Sequence, residues 1–256
     1  ARKLWYRLMK ERYRPENPEA YRFRFHVQTA GCSLTAQQPM VNIVRTAYQA
    51  LEAVLGGCQS LHTNSFDEAI CLPTEEAVRL AVRTQEVLQE ETGVANIIDP
   101  LAGSYYVESL TRELEERIWD YFQQIEEMGG VVEALNTGWL FGEMSKAFNK
   151  RRRDQESGEE KVIGVNCYVL EDEEPTSPFR TNPRAAEIEK KRLQELRSER
   201  DNQKVSKLLD QLRRVCEARE NVLPVVSDLT AAGATLGEIT SVYREVWGIW
   251  QLPFVA

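Results

Sequence analysis

The stretch GGCQSLHTNSFDEAICLPTEE, residues 56–76, decides the fold class of this chain. Two glycines end a helical pattern, and CQSLHTN (58–64) is typical of a short strand. A polar turn then leads to a second helix, which has Thr74 at its N-cap and two acidic residues in its first turn. A strand that alternates with helices in this way is the unit from which parallel sheets are built.

The same alternation extends to both sides of that stretch. Upstream, YRFRFHVQT (21–29) alternates apolar and polar residues as a strand does, and a helical pattern runs over 40–55. Downstream, VANII (94–98) predicts a third strand, and 105–128 predicts a long helix. The sequence therefore predicts an α/β fold of three parallel strands with right-handed crossovers. A closed barrel needs about eight strands, so the remaining strands have to come from elsewhere.

Composition excludes several classes of function. The chain has 256 residues and a net charge of −8, so it lacks the overall basic surface of a nucleic-acid-binding protein. It has no apolar run of about 18 residues for a membrane span, and its charged N-terminus is unlike a secretory signal. Its five cysteines are scattered without a CxxC pair, and two histidines are too few for a metal site built from this chain alone. We expect a cytoplasmic protein that binds neither nucleic acid nor membrane.

The second half of the chain has a different organisation. From residue 138 the strand–helix alternation stops, and the acidic, proline-bearing segment EDEEPTSPFRTNP (171–183) predicts a domain edge. Highly charged helices with a thin apolar seam follow it. We predict two regions: 1–156, which carries the strand ends, and 157–256, which forms a linker and a helical extension.

Polar side chains cluster where the predicted strands end. His26 and Gln28 share one face of their strand, and Ser60, His62 and Asn64 share one face of the next. The carboxyl ends of parallel strands meet at one edge, so these faces are expected to line one cavity. Amides, hydroxyls and imidazoles suit the binding of a polar, extended ligand, or of a cofactor that performs the chemistry itself.

Other interpretations of these residues remain open at this point. Singly, each could satisfy turn backbone or cap a helix. A hydrolytic triad from Ser60 or Ser65 with His62 is hindered because its members lie close together on one strand. A two-carboxylate acid/base site formed by Glu68 and Asp99 is a further hypothesis.

Several runs resemble the large subunit of the adenosylcobalamin-dependent acyl-CoA mutases of the methylmalonyl-CoA mutase family. The most specific is QSLHTNSFDEA (59–69). The others are HVQTAG (26–31), NIVRTA (42–47), LPT (72–74), RTQ (83–85), ETG (91–93), DPLAGSYYVE (99–108), EEMGG (126–130) and IGVN (163–166). The resemblance extends from residue 1 to residue 240. It implies the C-terminal portion of a (β/α)8 TIM barrel, with about three strand–helix units, followed by a mostly helical extension.

The resemblance also implies roles for particular residues. Positions that face the acyl-CoA in the family are matched by His26, Gln59 and Ser60. Positions that face adenosylcobalamin are matched by Gln28, Asn64 and Glu68. It implies no catalytic side chain and no metal ligand in this chain. Cys32 stands where well-known members carry Trp, and Met40 lies where they carry a larger polar pair, so the edge of the cofactor pocket differs.

The function implied is an isomerase that rearranges a short acyl-CoA carbon skeleton by radical chemistry, of the methylmalonyl-CoA/succinyl-CoA type. The implied partners are the N-terminal half of the barrel, a cobalamin-binding small subunit and the acyl-CoA substrate, so the chain alone is expected to be inactive. The alternative is a non-catalytic assembly or scaffold subunit of a mutase complex, in which the site residues are relics.

Overall fold

A computed structural model of the chain describes residues 1–172 and 179–251. These residues fall into two compact units that divide between Phe179 and Arg180. The division lies inside the acidic, proline-bearing segment that the sequence predicts as a domain edge. The functional boundary between residues 156 and 157 stays a prediction.

The first unit combines helices with a small parallel sheet. Its helices are α1 (Arg2–Leu8), α2 (Val41–Leu55), α3 (Glu75–Glu91), α4 (Tyr105–Glu127), α5 (Val131–Asn136) and α6 (Trp139–Ser157), and its strands are β1 (His26–Gln28) and β2 (Ser60–His62). A π-helical turn (Met9–Tyr13) extends α1, and 3-10 turns lie at Pro18–Tyr21, Gly31–Ser33 and Val94–Asn96. The unit is thus an α/β arrangement, while its place in a TIM barrel stays a prediction.

Small side chains bring the helices close to the sheet. α2 packs against β2 and α3, and Ala50, Ala77 and Ala81 are buried at these contacts. Thr74 caps α3 as the sequence predicts, because its side chain accepts a hydrogen bond from the Ala77 amide. This packing fixes the direction in which the β2 strand end points.

The sheet has two strands in the described part of the chain, and the prediction of a third strand at 94–98 is wrong. The two predicted strands are confirmed but shorter, three residues each, and they pair in parallel. Residues 94–96 instead form a 3-10 turn after Gly93, whose φ of 69° is easy for glycine, and Ile98 is 97% exposed. A strand forms only against a neighbour that completes its hydrogen bonds, and no described strand lies beside this segment. Residues Ile163 and Cys167 form an isolated bridge outside the two strands.

The second unit is helical. It contains α7 (Ala185–Glu199), α8 (Asn202–Glu217), α9 (Leu223–Ala231) and α10 (Leu236–Trp247). Its core is formed by Val205, Leu212, Cys216, Val225, Leu229, Ile239 and Val242. The apolar seam predicted among the charged helices is confirmed in part. Val205 and Leu212 lie in this core and Leu208, Leu209 and Val215 pack against it, whereas the predicted seam residues Leu193 and Leu196 are exposed.

A nearly buried ion pair stabilises the second unit beside its core. The Arg200 guanidinium donates to both carboxylate oxygens of Glu238, at 2.7 and 2.6 Å. Glu238 also completes a capping box with Thr235 at the start of α10. The hydrogen bond from Arg200 is the largest of the interactions that lower the pKa of Glu238 to about 2.

Within the described ranges, no helix is both long enough and apolar enough to cross a membrane.

Candidate functional site

The two strands hold the predicted site residues in register. His26 lies opposite Ser60, and Gln28 lies opposite His62. The His26 Nδ1 and Ser60 Oγ atoms are 2.8 Å apart. These four side chains are exposed on one face of the sheet, as the alternation of the sequence predicts.

Past the strand ends, Asn64 is the centre of a second group. Its backbone amide donates to Thr29 Oγ1 at 2.9 Å, and its side-chain Oδ1 accepts a hydrogen bond from Gln28 Nε2 at 3.5 Å. The residue is only 1% exposed, yet its Nδ2 donor has no partner among the described residues. A buried donor without a partner costs about 1–3 kcal/mol. Asn64 therefore keeps an unused hydrogen-bond donor next to the strand ends.

The absence of a side chain at Gly31 leaves space beside the Nδ2 group of Asn64. A Cβ atom at this position would lie 3.2 Å from Glu68 Oε1 and 3.3 Å from Asn64 Nδ2. A side chain there would therefore press on both groups. Glu68 is exposed, whereas Asn64 is buried. We call the space beside Gly31, Asn64 and Glu68 the Gly31 cleft. The structure thus explains why residue 31, the last of the run HVQTAG, is a glycine.

Gln59 lies at the opposite end of β2. Its Oε1 accepts a hydrogen bond from the Phe25 amide at 2.8 Å, and its Nε2 donates to the Gly57 carbonyl at 3.0 Å. The predicted acyl-CoA residues therefore lie at the start of the strands, and the predicted cofactor residues lie at the end of β1 or beyond the end of β2. At about 3.3 Å per residue, Gln59 and Asn64 are separated by about 16 Å along the strand direction. The order suits two ligands, or one extended ligand, placed along the strands.

Two cavities adjoin this row of residues. An open cleft of about 600 Å³ between β2, α2 and α3 is lined by Gln59, Ser60 and Leu88 among others. A smaller cavity of about 120 Å³ is lined in part by His62, Ser65 and Glu68. The larger volume lies in the range of small-molecule sites.

A buried carboxylate fixes the loop that carries Asn64 and Glu68. Asp67 Oδ2 accepts hydrogen bonds from the backbone amide and the hydroxyl of Thr74, both at 2.9 Å. The sequence identifies Thr74 as a helix cap but misses this use of Asp67. The sequence contained a signal for this contact. An aspartate that lies seven residues before an N-cap threonine, across a short turn, can accept a hydrogen bond from the threonine amide.

The structure does not assemble the rival hydrolytic sites. The Ser60 hydroxyl pairs with His26, not with His62, which lies two residues further along the same strand. Asp99 lies 3.6 Å from Arg2, in a cavity that Gly56 also lines, before β2 begins. Glu68 lies past the end of β2 and lines a different cavity.

The two residues that the resemblance predicts to depart from the family pattern, Cys32 and Met40, both precede α2. Cys32 is exposed in the 3-10 turn that begins at Gly31. Arg151 has its pKa raised mainly by its hydrogen bond to Glu160, and it also interacts with Cys32. Met40 is 60% exposed immediately before α2.

Comparison with known proteins identifies the family. The family model described as methylmalonyl-CoA mutase matches residues 1–249. This chain belongs to the methylmalonyl-CoA mutase family. That assignment agrees with the resemblance carried by the strand-end motifs.

Individual relatives match nearly the whole of this chain, but the match covers only part of their own sequences. The 2-hydroxyisobutanoyl-CoA mutase large subunit of Aquincola tertiaricarbonis is 43% identical over 98% of this chain and 45% of its own length. The methylmalonyl-CoA mutase of Rhizobium meliloti is 46% identical over 97% of this chain and 35% of its own length. The mitochondrial methylmalonyl-CoA mutase of Homo sapiens is 39% identical over 97% of this chain and 33% of its own length. The chain thus spans less than half the length of these mutases.

Proposed function

We propose that this chain is the C-terminal part of a mutase large subunit. It contributes strand ends that face acyl-CoA and adenosylcobalamin to a shared (β/α)8 barrel. The reaction is a radical rearrangement of the carbon skeleton of a short acyl-CoA, of the methylmalonyl-CoA/succinyl-CoA type. The observation that carries this proposal is the buried, unpartnered Nδ2 of Asn64 beside the Gly31 cleft, in a chain of the methylmalonyl-CoA mutase family.

The residues of the cleft fit an adenosyl group. Asn64 offers a donor without a partner, Gln28 orients it, and the Glu68 carboxylate can accept hydrogen bonds from ribose hydroxyls. Adenosylcobalamin, when bound, supplies a carbon-centred radical through homolysis of its cobalt–carbon bond. The protein side chains bind, orient and exclude water, and they need no nucleophile.

The acyl-CoA is assigned to the start of the strands. His26 and Ser60 form a hydrogen-bonded pair that can present a donor to a thioester or amide oxygen. Gln59 is held by two backbone hydrogen bonds, so its amide is fixed before any ligand arrives. A fixed polar group loses less entropy on binding than a mobile one.

The partners are the N-terminal half of the barrel, a cobalamin-binding small subunit and the acyl-CoA. Two observations support the first partner: the chain spans 33–45% of the three mutases compared above, and its sheet has two described strands. Alone, the chain is proposed to be inactive.

The experiment is reconstitution. The chain is mixed with an N-terminal barrel half and a cobalamin-binding subunit, and isomerisation of short acyl-CoAs is followed with and without adenosylcobalamin. We expect turnover only in the complete mixture with cofactor. Absence of cofactor-dependent turnover with every short acyl-CoA, from a complex shown to assemble, would overturn the proposal.

The alternative, a scaffold subunit, is tested in the same complex. The changes at Cys32 and Met40 are the observation that favours it. Gln59→Ala and Glu68→Ala should each lower turnover if the site acts, whereas a scaffold would assemble and turn over as before.

A further inference from the structure

Two of the sequence runs that carry the family resemblance have no place in the proposed site. They are NIVRTA (42–47), on α2, and IGVN (163–166), which follows α6. In the structure they meet. We call residues 161–168 the return loop and residues 64–68 the site loop.

Asn42 joins the site loop to α2. The residue is fully buried, and its Nδ2 donates to the carbonyls of Phe66 and Thr35, both at 2.8 Å. Its Oδ1 accepts from the Thr35 amide at 3.1 Å and from Arg45 Nη1 at 2.7 Å. Since every polar atom of this side chain is used, Asn42 has one orientation, and it fixes Phe66 between Asn64 and Glu68.

Arg45 joins that network to the return loop. Its Nη1 also donates to Thr35 Oγ1 at 2.9 Å, and its Nη2 donates to the Ile163 carbonyl at 2.7 Å. A planar guanidinium spans two segments in this way, because its donors point in fixed, divergent directions. An ammonium group is a point charge and cannot reproduce that geometry.

The return loop is shaped to accept this contact. Asn166 closes it, since its side chain accepts from the Val162 amide and donates to the carbonyls of Gln155 and Glu160. Gly164 has a φ of 82°, and a Cβ there would lie 3.2 Å from the Gln38 side chain. Gln38 in turn donates to the Tyr168 carbonyl at 2.8 Å. The loop is thus held on α2 and on the segment before it at two separate points.

From this geometry we infer that Arg45 is a positioning residue, which couples docking of the return loop to the position of the site loop at the Gly31 cleft. The inference rests on the proposed function for the identity of the ligand. Loss of the Arg45 bridge frees the return loop and weakens the hold on the site loop, which carries Asn64 and Glu68. The acyl-CoA group, on the paired strands, keeps its own hydrogen bonds.

The test compares Arg45→Lys with Arg79→Lys. Arg79 is a surface arginine on α3 whose side chain donates to Glu75, one turn away. In the chain alone, hydrogen exchange of the return-loop amides is measured. Arg45→Lys removes the charge-assisted hydrogen bond to the Ile163 carbonyl, so it should speed exchange there by about tenfold or more, and Arg79→Lys should leave it unchanged.

In the reconstituted complex, adenosylcobalamin binding is followed by its absorbance and the KM for acyl-CoA by turnover. Arg45→Lys should raise the Kd of the cofactor about tenfold while the KM stays within about twofold. Gly164→Ala, which loosens the return loop without touching Arg45, should act in the same direction. Return-loop exchange equal to that of the parent chain would overturn the inference, as would equal losses in cofactor and acyl-CoA affinity.

The experiments can refute the proposed function and the positioning role of Arg45 independently. If the parent complex shows no cofactor-dependent turnover, the proposed function falls, but the exchange measurement still decides whether Arg45 holds the return loop. If the parent turns over and exchange does not respond to Arg45→Lys, the positioning role falls alone.

Discussion

Gln28 Nε2 donates to Asn64 Oδ1 at 3.5 Å across the carboxyl ends of the two paired strands. This contact turns the Nδ2 group of Asn64 away from Gln28, and that group has no partner in the described part of the chain. One residue is thus both held by the protein and available to a ligand.

Replacing Asn64 by Ala should therefore weaken cofactor binding selectively. The variant loses one hydrogen bond to the ligand, worth about tenfold in the Kd of adenosylcobalamin, and should leave the KM for acyl-CoA near the parent value. Titration of the reconstituted complex measures both. Gln124→Ala, on the exposed face of α4, is the matched amide control and should change neither. Parental cofactor affinity in Asn64→Ala would contradict the role of Asn64.

Gly31→Ala should reduce cofactor affinity without unfolding the chain. The added Cβ would lie 3.2–3.3 Å from Glu68 and Asn64, so it narrows the cleft. Gly142→Ala is the control, because nothing lies within 4 Å of a Cβ there and the site is inside α6. In a helix, Ala is favoured over Gly by about 1 kcal/mol, so Gly142→Ala should raise the free energy of unfolding and leave cofactor affinity unchanged. A Gly31→Ala complex that binds cofactor as the parent does would rule out the narrow cleft.

Thr74→Val should destabilise the first unit. The hydroxyl both caps α3 and donates to buried Asp67, so its loss should lower the free energy of unfolding by about 1–2 kcal/mol. Denaturant unfolding of the chain measures the change. Thr74→Ser keeps the hydroxyl and should stay close to the parent. An equal loss in Thr74→Ser would show that the methyl group contributes as much as the hydroxyl, and an unchanged Thr74→Val would contradict the role of the hydroxyl.

Glu238→Gln should destabilise the second unit in a pH-dependent way. With its pKa lowered to about 2, the ionised Glu238 stabilises the fold above its ordinary value of 4.5, and that contribution is lost as the pH falls through about 2. Allowing for partial exposure, the loss in Glu238→Gln at pH 7 should be about 2 kcal/mol. The difference between variant and parent should shrink steadily between pH 4.5 and pH 2.

Glu245→Gln is the control for that measurement. Glu245 pairs with Arg213 on the surface, where solvent weakens the attraction, so little change in unfolding is expected at any pH. A pH-independent difference in Glu238→Gln would show that the capping bonds, and not the charge, stabilise α10.

Local signals predicted the elements that depend on local interactions. The helix that begins after Thr74 needs only its cap and its apolar face, and both are readable in the sequence. The segment 94–98 has the β-branched residues of a strand, but a strand also needs a neighbour, which local sequence does not report. The same limit applies to the site. Alternation predicted that His26 and Gln28 share one face and that Ser60 and His62 share one face of the next strand. The Arg45 bridge to Ile163, in contrast, spans 118 positions and follows from no short pattern.

The parallel pair β1 and β2 has one practical consequence for handling this protein. Neither outer margin of the pair has a further strand among the residues that the structure describes, so main-chain amides and carbonyls there are available to other chains. When produced by itself, the polypeptide is expected to self-associate through these margins as its concentration rises. Co-expression with the N-terminal half of the barrel should cover these margins and keep the protein monodisperse. Light scattering over a dilution series of each preparation would measure the difference in particle size.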